Sequence, residues 1–415
     1  MGTALFTGVS GLTANQRKLD VIANNIANVN TTGYRGSRVL FQDLFSQTIS
    51  GPRAAVAGFG GANPLQVGLG VRLGTIDVSH SQGALITTGV ASDLAIQGQG
   101  FFVLSDGASN FYSRDGSFTL NSNGDLIDGA TGLRVQGFLA DSSGVIDPTG
   151  IVTDLTIPLG GVSIVQASTQ SEFVGNLDSA ATAGDTVDRT FRVFDSLGTA
   201  RDVTVTFTKS ATTNEWDWAA STADPEIASV TGAGTITFDA SGNVTAGGVS
   251  TIDLTFAGGI PSTPVDPFSF SVDFSAVTNQ SGGGSDVTFF SQDGYPRGVL
   301  ESFNIGSGGV INGVFTNGLT QTLGQVATAS FANNGGLSRE GSNLFRDSPS
   351  SGVAQIGLPG TGGRGQVSGG VLEGSNVDLG REFSELIITQ RAFQANARTI
   401  TTADTLLQET VNLIR

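Results

Sequence analysis

His80 is the only imidazole in the chain, and there is no Cys. A Cys–His pair is therefore impossible, and any Ser–His–Asp set would have to be built around this one ring. His80 lies in VSHSQGA, and no nucleophile-elbow sequence occurs anywhere, so it reads as a surface or strand-end histidine. The run Asn121–Asp125 has the flavour of a calcium loop but lacks the bidentate Glu at the twelfth position, and a hairpin turn is the simpler reading. Gly98-Gln99-Gly100 precedes the strand-like Phe101-Phe102-Val103-Leu104 instead of a helix. It cannot seat a phosphate at a helix N-terminus and reads as a bulge or tight turn. Carboxylate pairs such as Asp195 with Asp202, or Asp217 with Asp224, would suit glycoside hydrolysis only at a separation that sequence cannot supply, and exposed turn acids are the default. Arg17, Lys18, Arg35 and Arg38 cluster near the N-terminus; they read as helix-surface contacts or, functionally, as ion pairs to a neighbour's acidic face. The chemistry thus points away from an enzyme, a cofactor or a metal site.

Composition narrows the class further. At 415 residues the chain has room for two to four domains. Sixty Gly against 20 Lys plus Arg, one Met, two Trp and three Tyr describe a turn-dense β protein whose aromatic core is mostly Phe. A formal charge of −16 argues against nucleic-acid binding, which needs clustered cations to displace counterions. That acidity sits almost wholly in the middle, which is expected to face water. The absence of Cys fits a chain that crosses compartments unfolded or works outside the cell. MGTALFTGVSGLTANQRKLD has no basic start followed by an apolar run, so no cleaved signal is expected, and no stretch is suited to membrane insertion.

The elements that carry a specific pattern are the two ends. Leu379, Phe383, Leu386, Gln390, Phe393, Ala397, Ile400, Asp404, Leu407, Val411 and Ile414 step 4-3-4-3 without a break. Leu5, Val9, Leu12, Leu19, Ile22, Ala23, Ile26 and Val29 form a looser stripe of the same kind. At 1.5 Å per residue the C-terminal seam predicts a rod of about 55 Å, longer than a compact β domain usually needs to cover itself. Part of it should pair with the N-terminal helix and the rest with neighbouring subunits, Gln390 and Asp404 limiting the register. Asn24, Asn25, Asn28 and Asn30 compete for backbone hydrogen bonds, so the first helix is expected to end in a turn at Asn30-Thr31-Thr32-Gly33.

Between the ends the chain reads as strand and turn. Tyr34 to about Gly74 is expected to be an extended connector with a brief helix near Val39 to Phe45. Short alternating runs follow, and Thr190 to Thr208 reads as strand, Asp-Ser-Leu-Gly turn, strand, with Phe191, Val193, Val203, Val205 and Phe207 on one face. Trp216 and Trp218, two apart, should share a side. The predicted fold is mainly β with α-helical termini, nested β domains being inserted between N- and C-terminal helices that pair as a coiled coil. Its parts are a terminal helical polymerisation domain, 1–30 and 377–415; connectors, 31–75 and 366–376; an inner β domain, 76–140 and 292–365; and an inserted outer β domain, 141–291.

LDVIANNIANVNTTGYR (Leu19 to Arg35) and EGSNVDLGREFSELIITQRAFQANARTITTADTLLQETVNLIR (Glu373 to Arg415) resemble the paired terminal motifs of the bacterial flagellar axial proteins of the rod and hook. IQGQGFFVL, FYSRDGSFTLNSNGDLID, VFDSLGTARDVTVTF, NGLTQTLGQVATASFANNGGL and NLF follow, in order, the pattern of that family's hook branch. The resemblance implies a self-assembling subunit exported without a cleaved signal through the flagellar type III apparatus. Outside the cell it would polymerise into a curved tube, a universal joint between rod and filament. Implied partners are further copies of itself, the rod, the hook cap and the hook–filament junction proteins. In that family the terminal helices line the central channel and the β domains form outer layers. Leu12, Leu19, Ile22, Asn25, Ile26, Asn28 and Gly33 match the front motif; Asn376, Val377, Leu379, Gln390, Arg391, Asn396, Ile400 and Leu413 match the back. The stretch Ser50 to Leu69 looks longer than in the shortest members, which bears on contacts with other subunits or the rod.

The nearest rival is the distal rod protein, expected to lack the second inserted β domain. An extracellular adhesin or carbohydrate-active β protein would explain the acidic middle but not heptads at both termini.

Overall fold

The computed structural model describes residues 2–54, 60–141, 143–161, 163–258 and 264–413. The terminal stripes fold as helices α1, Gly2–Ala27, and α2, Leu379–Leu413, and the two pack against each other. After Ala27 the chain turns through the Asn-rich segment, where the Asn28 N–H still donates to the Asn24 carbonyl at 3.2 Å. Gly33 ends that turn with φ +65°, and a Cβ there would stand 2.5 Å from the Asp115 nitrogen, so only glycine fits.

The expected brief helix at Val39 to Phe45 is a strand instead: Ser37–Asp43 pairs antiparallel with Val71–Val78, with a bulge at Leu40/Phe41. A short apolar run is ambiguous by periodicity alone, and the pairing partner some thirty residues away decides it. Beyond it Ser46–Ser50 pairs with Leu65–Gly68, which places strand within the long 50–69 stretch; residues 55–59 of that stretch lie outside the described residues.

The chain folds as two units, one comprising Met1–Ile157, Phe303–Asn312 and Thr322–Arg415, the other Pro158–Ser302 and Gly313–Gln321. In the first, Phe101-Phe102-Val103-Leu104 is buried on both faces, which explains why its sequence is a continuous apolar run instead of an alternation. Its strand, Phe101–Ser105, pairs with Asn110–Ser113, Arg134–Leu139 and Thr328–Ser330. Phe101, Val103, Tyr112, Phe138, Ala329 and Phe345 form a core there. Gly98 and Gly100, with φ of 103° and 127°, make the tight turn into this strand. Residues just ahead of α2 return to the same unit: Gln366–Gly369 pairs with Leu94–Gln97, and Val371–Glu373 with Leu85–Thr87.

The second unit contains two five-stranded sheets. Thr186–Phe194 and Ala200–Lys209 form the predicted hairpin, and Phe191, Val193, Val203, Val205 and Phe207 all point into the core. Trp216 and Trp218 do the same from Glu215–Ser221. The other sheet contributes Phe173, Phe270 and Phe274; Phe274 meets Phe207 edge-on at 5.3 Å and Phe173 meets Phe191 at 5.1 Å. Its strand Gln170–Asn176 runs parallel to Phe268–Thr278, and its remaining pairings are antiparallel.

One turn recipe recurs. Asn121, Asp141, Asp195 and Asp239 each accept, through a single side-chain oxygen, the N–H groups two and four residues ahead at 2.8–2.9 Å. Gly124, Gly144, Gly198 and Gly242, each three residues on, supply φ between 78° and 85°. The Asn121 amide is thus spent on its own turn, which joins Phe118–Leu120 to Leu126–Asp128 as an antiparallel hairpin.

Candidate assembly interface

Helices α1 and α2 run antiparallel, because residues early in α1 meet residues late in α2. A Cβ on Gly8 would lie 2.9 Å from Ile400 Cγ1, and one on Gly11 would lie 2.8 Å from Asn396 Nδ2. Near the other end of the pair Lys18 Nζ meets Glu385 Oε2 at 2.9 Å. The small residues Gly8, Gly11 and Ala14, all buried, let the backbones approach closely.

One shielded line along α2 runs Glu382, Leu386, Thr389, Phe393, Asn396, Ile400, Ala403 and Leu407, again at alternating steps of four and three, with Glu385, Ala392 and Ala397 half-buried beside it. Leu386, Phe393, Ile400 and Leu407 belong to the stripe read from sequence, while Thr389, Asn396 and Ala403 lie one residue before its Gln390, Ala397 and Asp404. The rest of that stripe divides: Ala397 is half-buried, and Leu379, Phe383, Gln390, Asp404 and Val411 are exposed, as is Arg391. Phe383 is 50% exposed, Ile388 65% and Val411 61%. On α1 Ile22 is buried, Leu5, Leu12, Leu19 and Ile26 are half-buried, and Val9 points outward beside an exposed Phe6. Ile414 lies outside the described residues.

The motif asparagines fasten the helix ends to the β structure. Asn25 acts as a surrogate strand, donating to the Ser37 carbonyl at 2.7 Å and accepting the Ser37 N–H at 2.9 Å. Asn376 accepts the Gly36 N–H at 2.8 Å and donates to the carbonyls of Ser79 and Ser81 at 2.8 and 3.0 Å. Asn28 donates to the Asn24 carbonyl and accepts the Thr31 hydroxyl, closing the turn after α1. Val377, half-buried, lines with Ile22, Asn25, Arg38 and Glu382 a groove of about 620 Å³.

Beneath these contacts lies an ionic hub that sequence reading missed. Glu373 is fully buried and takes Arg35 Nη2 at 2.9 Å on one oxygen and Arg114 Nη1 at 3.1 Å on the other. The Gly83 N–H donates to the first oxygen at 2.8 Å, and the Gly33 N–H donates to the Glu373 carbonyl at 2.8 Å. Burial pulls the Arg114 guanidinium down to about 10, with Glu373 opposing that shift. Breaking such a buried set at one member leaves an uncompensated charge and costs about 3–5 kcal/mol. No local pattern signals it, because Arg35 and Glu373 are 338 residues apart.

The expectation that the basic cluster pairs with a neighbour is corrected for three of its four members. Arg35 is buried on Glu373, Lys18 holds Glu385, and Arg38 takes Asp77 at 2.7 Å, all within the chain. The Lys18 hydrogen bond holds the Glu385 carboxyl below its ordinary range, whereas burial pushes Glu382 up. Two of the turn acids are also not exposed: Asp195 is fully buried against Arg201 at 3.1 Å, and Asp224 reaches the same guanidinium at 2.8 Å. Asp202 pairs with Arg192, and Asp217 accepts the Thr235 hydroxyl. His80, half-buried just past Val71–Val78, stands among Arg35, Arg339 and Arg114.

Comparison with known proteins agrees with this architecture. Residues 5–35 match the flagella basal body rod protein family, and 368–413 match the C-terminal family of the flagellar basal body rod FlgEFG proteins. Residues 95–169 match the flagellar hook protein FlgE/F/G D1 domain, and 164–295 match the flagellar basal body protein FlaE D2 domain. The chain is 38% identical to the flagellar hook protein FlgE of Treponema pallidum with both chains covered in full. It is 35% identical to that of Escherichia coli, over 99% of this chain and all of the relative. The flagellar basal-body rod protein FlgG of Bacillus subtilis is 32% identical over 99% of this chain and 99% of its own. That relative spans the inserted unit as well, so the insert alone does not part hook from rod; the hook proteins of Treponema pallidum and Escherichia coli are the more identical to this chain. The chain belongs to the flagellar hook protein FlgE family, whose members are structural and not enzymatic.

Proposed function

We propose that this chain polymerises through its terminal helices into the curved, hollow, flexible hook of the extracellular flagellum, transmitting torque from rod to filament. The observation that carries this reading is the one-sided use of α2: α1 shields one face, and Leu379, Phe383, Ile387, Ile388, Leu406 and Val411 stay exposed on the remainder. Apolar surface of that extent along a helix wants a partner, and in a homopolymer the partner is another copy. The stripe residues and the motif residues Asn25, Asn28, Gly33, Asn376 and Val377 serve in this proposal as the polymerisation device. Membership of the family implies flagellar assembly partners; we assign these as the rod, the hook cap, the hook–filament junction proteins and the type III export apparatus.

Electron microscopy of the purified chain in high salt is the test. Curved tubes with a central channel are expected. Straight tubes would favour the rod reading suggested by the Bacillus subtilis relative, and a protein that never polymerises would overturn both.

A further inference from the structure

The polymerisation reading makes no use of His80. Its ring meets Phe101 edge-on at 5.9 Å and Phe345 at 6.0 Å, and its Nδ1 is buried with no hydrogen-bond partner among the described residues. The cations around it come from three separate segments: Arg35 from the turn after α1, Arg114 from the end of Asn110–Ser113, and Arg339 from Ser338–Gly341. Glu373 lies between Arg35 and Arg114 and is the hub's buried anion. Asp77, three residues before His80, is engaged by Arg38, and Asp115 accepts the Thr32 hydroxyl at 2.9 Å. Three guanidiniums against one buried carboxylate leave positive charge in excess beside a neutral ring, where low dielectric magnifies it. Burial first, and then Arg35, Arg339 and Arg114, pull the imidazole down to about 4, against a hydrogen bond with the Asn334 backbone that acts upward.

The residues on either side of His80 hold the C-terminal connector. The Ser79 and Ser81 carbonyls receive the Asn376 amide, whose oxygen in turn holds Gly36. We propose that His80 is a proton-sensitive latch: neutral, it fills the apolar notch between Phe101 and Phe345 and keeps Ser79 and Ser81 in place for Asn376. Protonated, it adds a further cation to Arg35, Arg114 and Arg339 and releases the segments 33–37 and 374–377 that lead into α1 and α2. The latch is internal to one chain and does not depend on the polymer.

Because the chain has one His, NMR of its imidazole in the full-length protein, kept too dilute to assemble, reads this site alone. The expected titration midpoint is well below the ordinary 6.5. Amide exchange at 33–37 and 374–377, corrected for intrinsic rates, should rise at least about tenfold from pH 7 to pH 4. In His80→Gln the protection at pH 7 should persist and the acid-dependent rise should vanish. An undiminished rise in that variant would assign the effect to carboxylates and overturn the latch, as would a midpoint near 6.5. Arg339→Gln should move the midpoint upward; an unmoved midpoint would also sink the electrostatic link.

Discussion

The inserted β unit and the terminal helices solve the same problem in opposite ways. In the β unit Phe173, Phe207, Trp216, Phe270 and Phe274 from both sheets are essentially sealed from water. In the helical pair, Val9, Phe383 and Val411 are at least half exposed although they belong to the apolar stripes, and Phe6 and Ile388 beside them are exposed as well. The β unit is complete within one chain; in the proposed polymer the helices are half of an interface. Stability of the first is a property of the sequence folding on itself, whereas on that proposal the second gains its remaining burial by association.

The sharpest way to break this comparison is truncation. Deleting everything from Leu386 onward should leave a soluble β body with native strand content and abolish polymerisation outright, read by circular dichroism and microscopy. Tubes formed by that protein would refute the assignment of the stripe to assembly.

Substitutions sharpen the same contrast. Trp216→Ala should destabilise the β unit by about 3–5 kcal/mol, the usual cost of deleting a large buried aromatic, seen as a lowered denaturant midpoint for that unit. Phe383→Ser should shift monomer stability by less than about 0.5 kcal/mol, since its ring is half exposed, while suppressing tube formation. Equal effects on monomer stability would erase the distinction between the two regions.

A smaller effect is expected from acid. The folded-state carboxyl of Glu385 is depressed by Lys18, so its contribution is full above the unfolded carboxylate range and is lost as pH falls through the lowered folded value. Glu382, raised by burial, has the opposite sign, and protonating it relieves a penalty. For a pair this exposed the Lys18–Glu385 contribution should be under about 1 kcal/mol. A double-mutant cycle with Lys18→Met and Glu385→Gln, run at pH 7 and pH 3, should show stronger coupling at the higher pH than at the lower.

Local patterns carried a good deal of this. The helices were legible because 4-3 spacing survives over many turns, and the hairpins because alternation and Asx–Gly turns act within a few residues. The Val39–Phe45 segment was not, since five apolar residues in seven positions satisfy either period. Which face of α2 meets α1 was also hidden. A hydrophobicity stripe weights Phe383 and Val411 heavily and ignores Gly8, Gly11, Thr389 and Ala403, yet closest approach selects the small residues.

The amino-acid sequence by itself determined that both termini are helices, that the middle is β, that no thiol or paired imidazole chemistry is available, and which family the motifs resemble. These follow from periodicity, turn chemistry and composition, which are short-range or additive properties. Only the tertiary structure decided that Arg35, Arg114 and Glu373 form one buried hub, that Asn25 and Asn376 clasp the connectors, and that His80 stands among three guanidiniums. Those depend on bringing together groups from a dozen to more than three hundred residues apart, and local propensity contains no term for such distances.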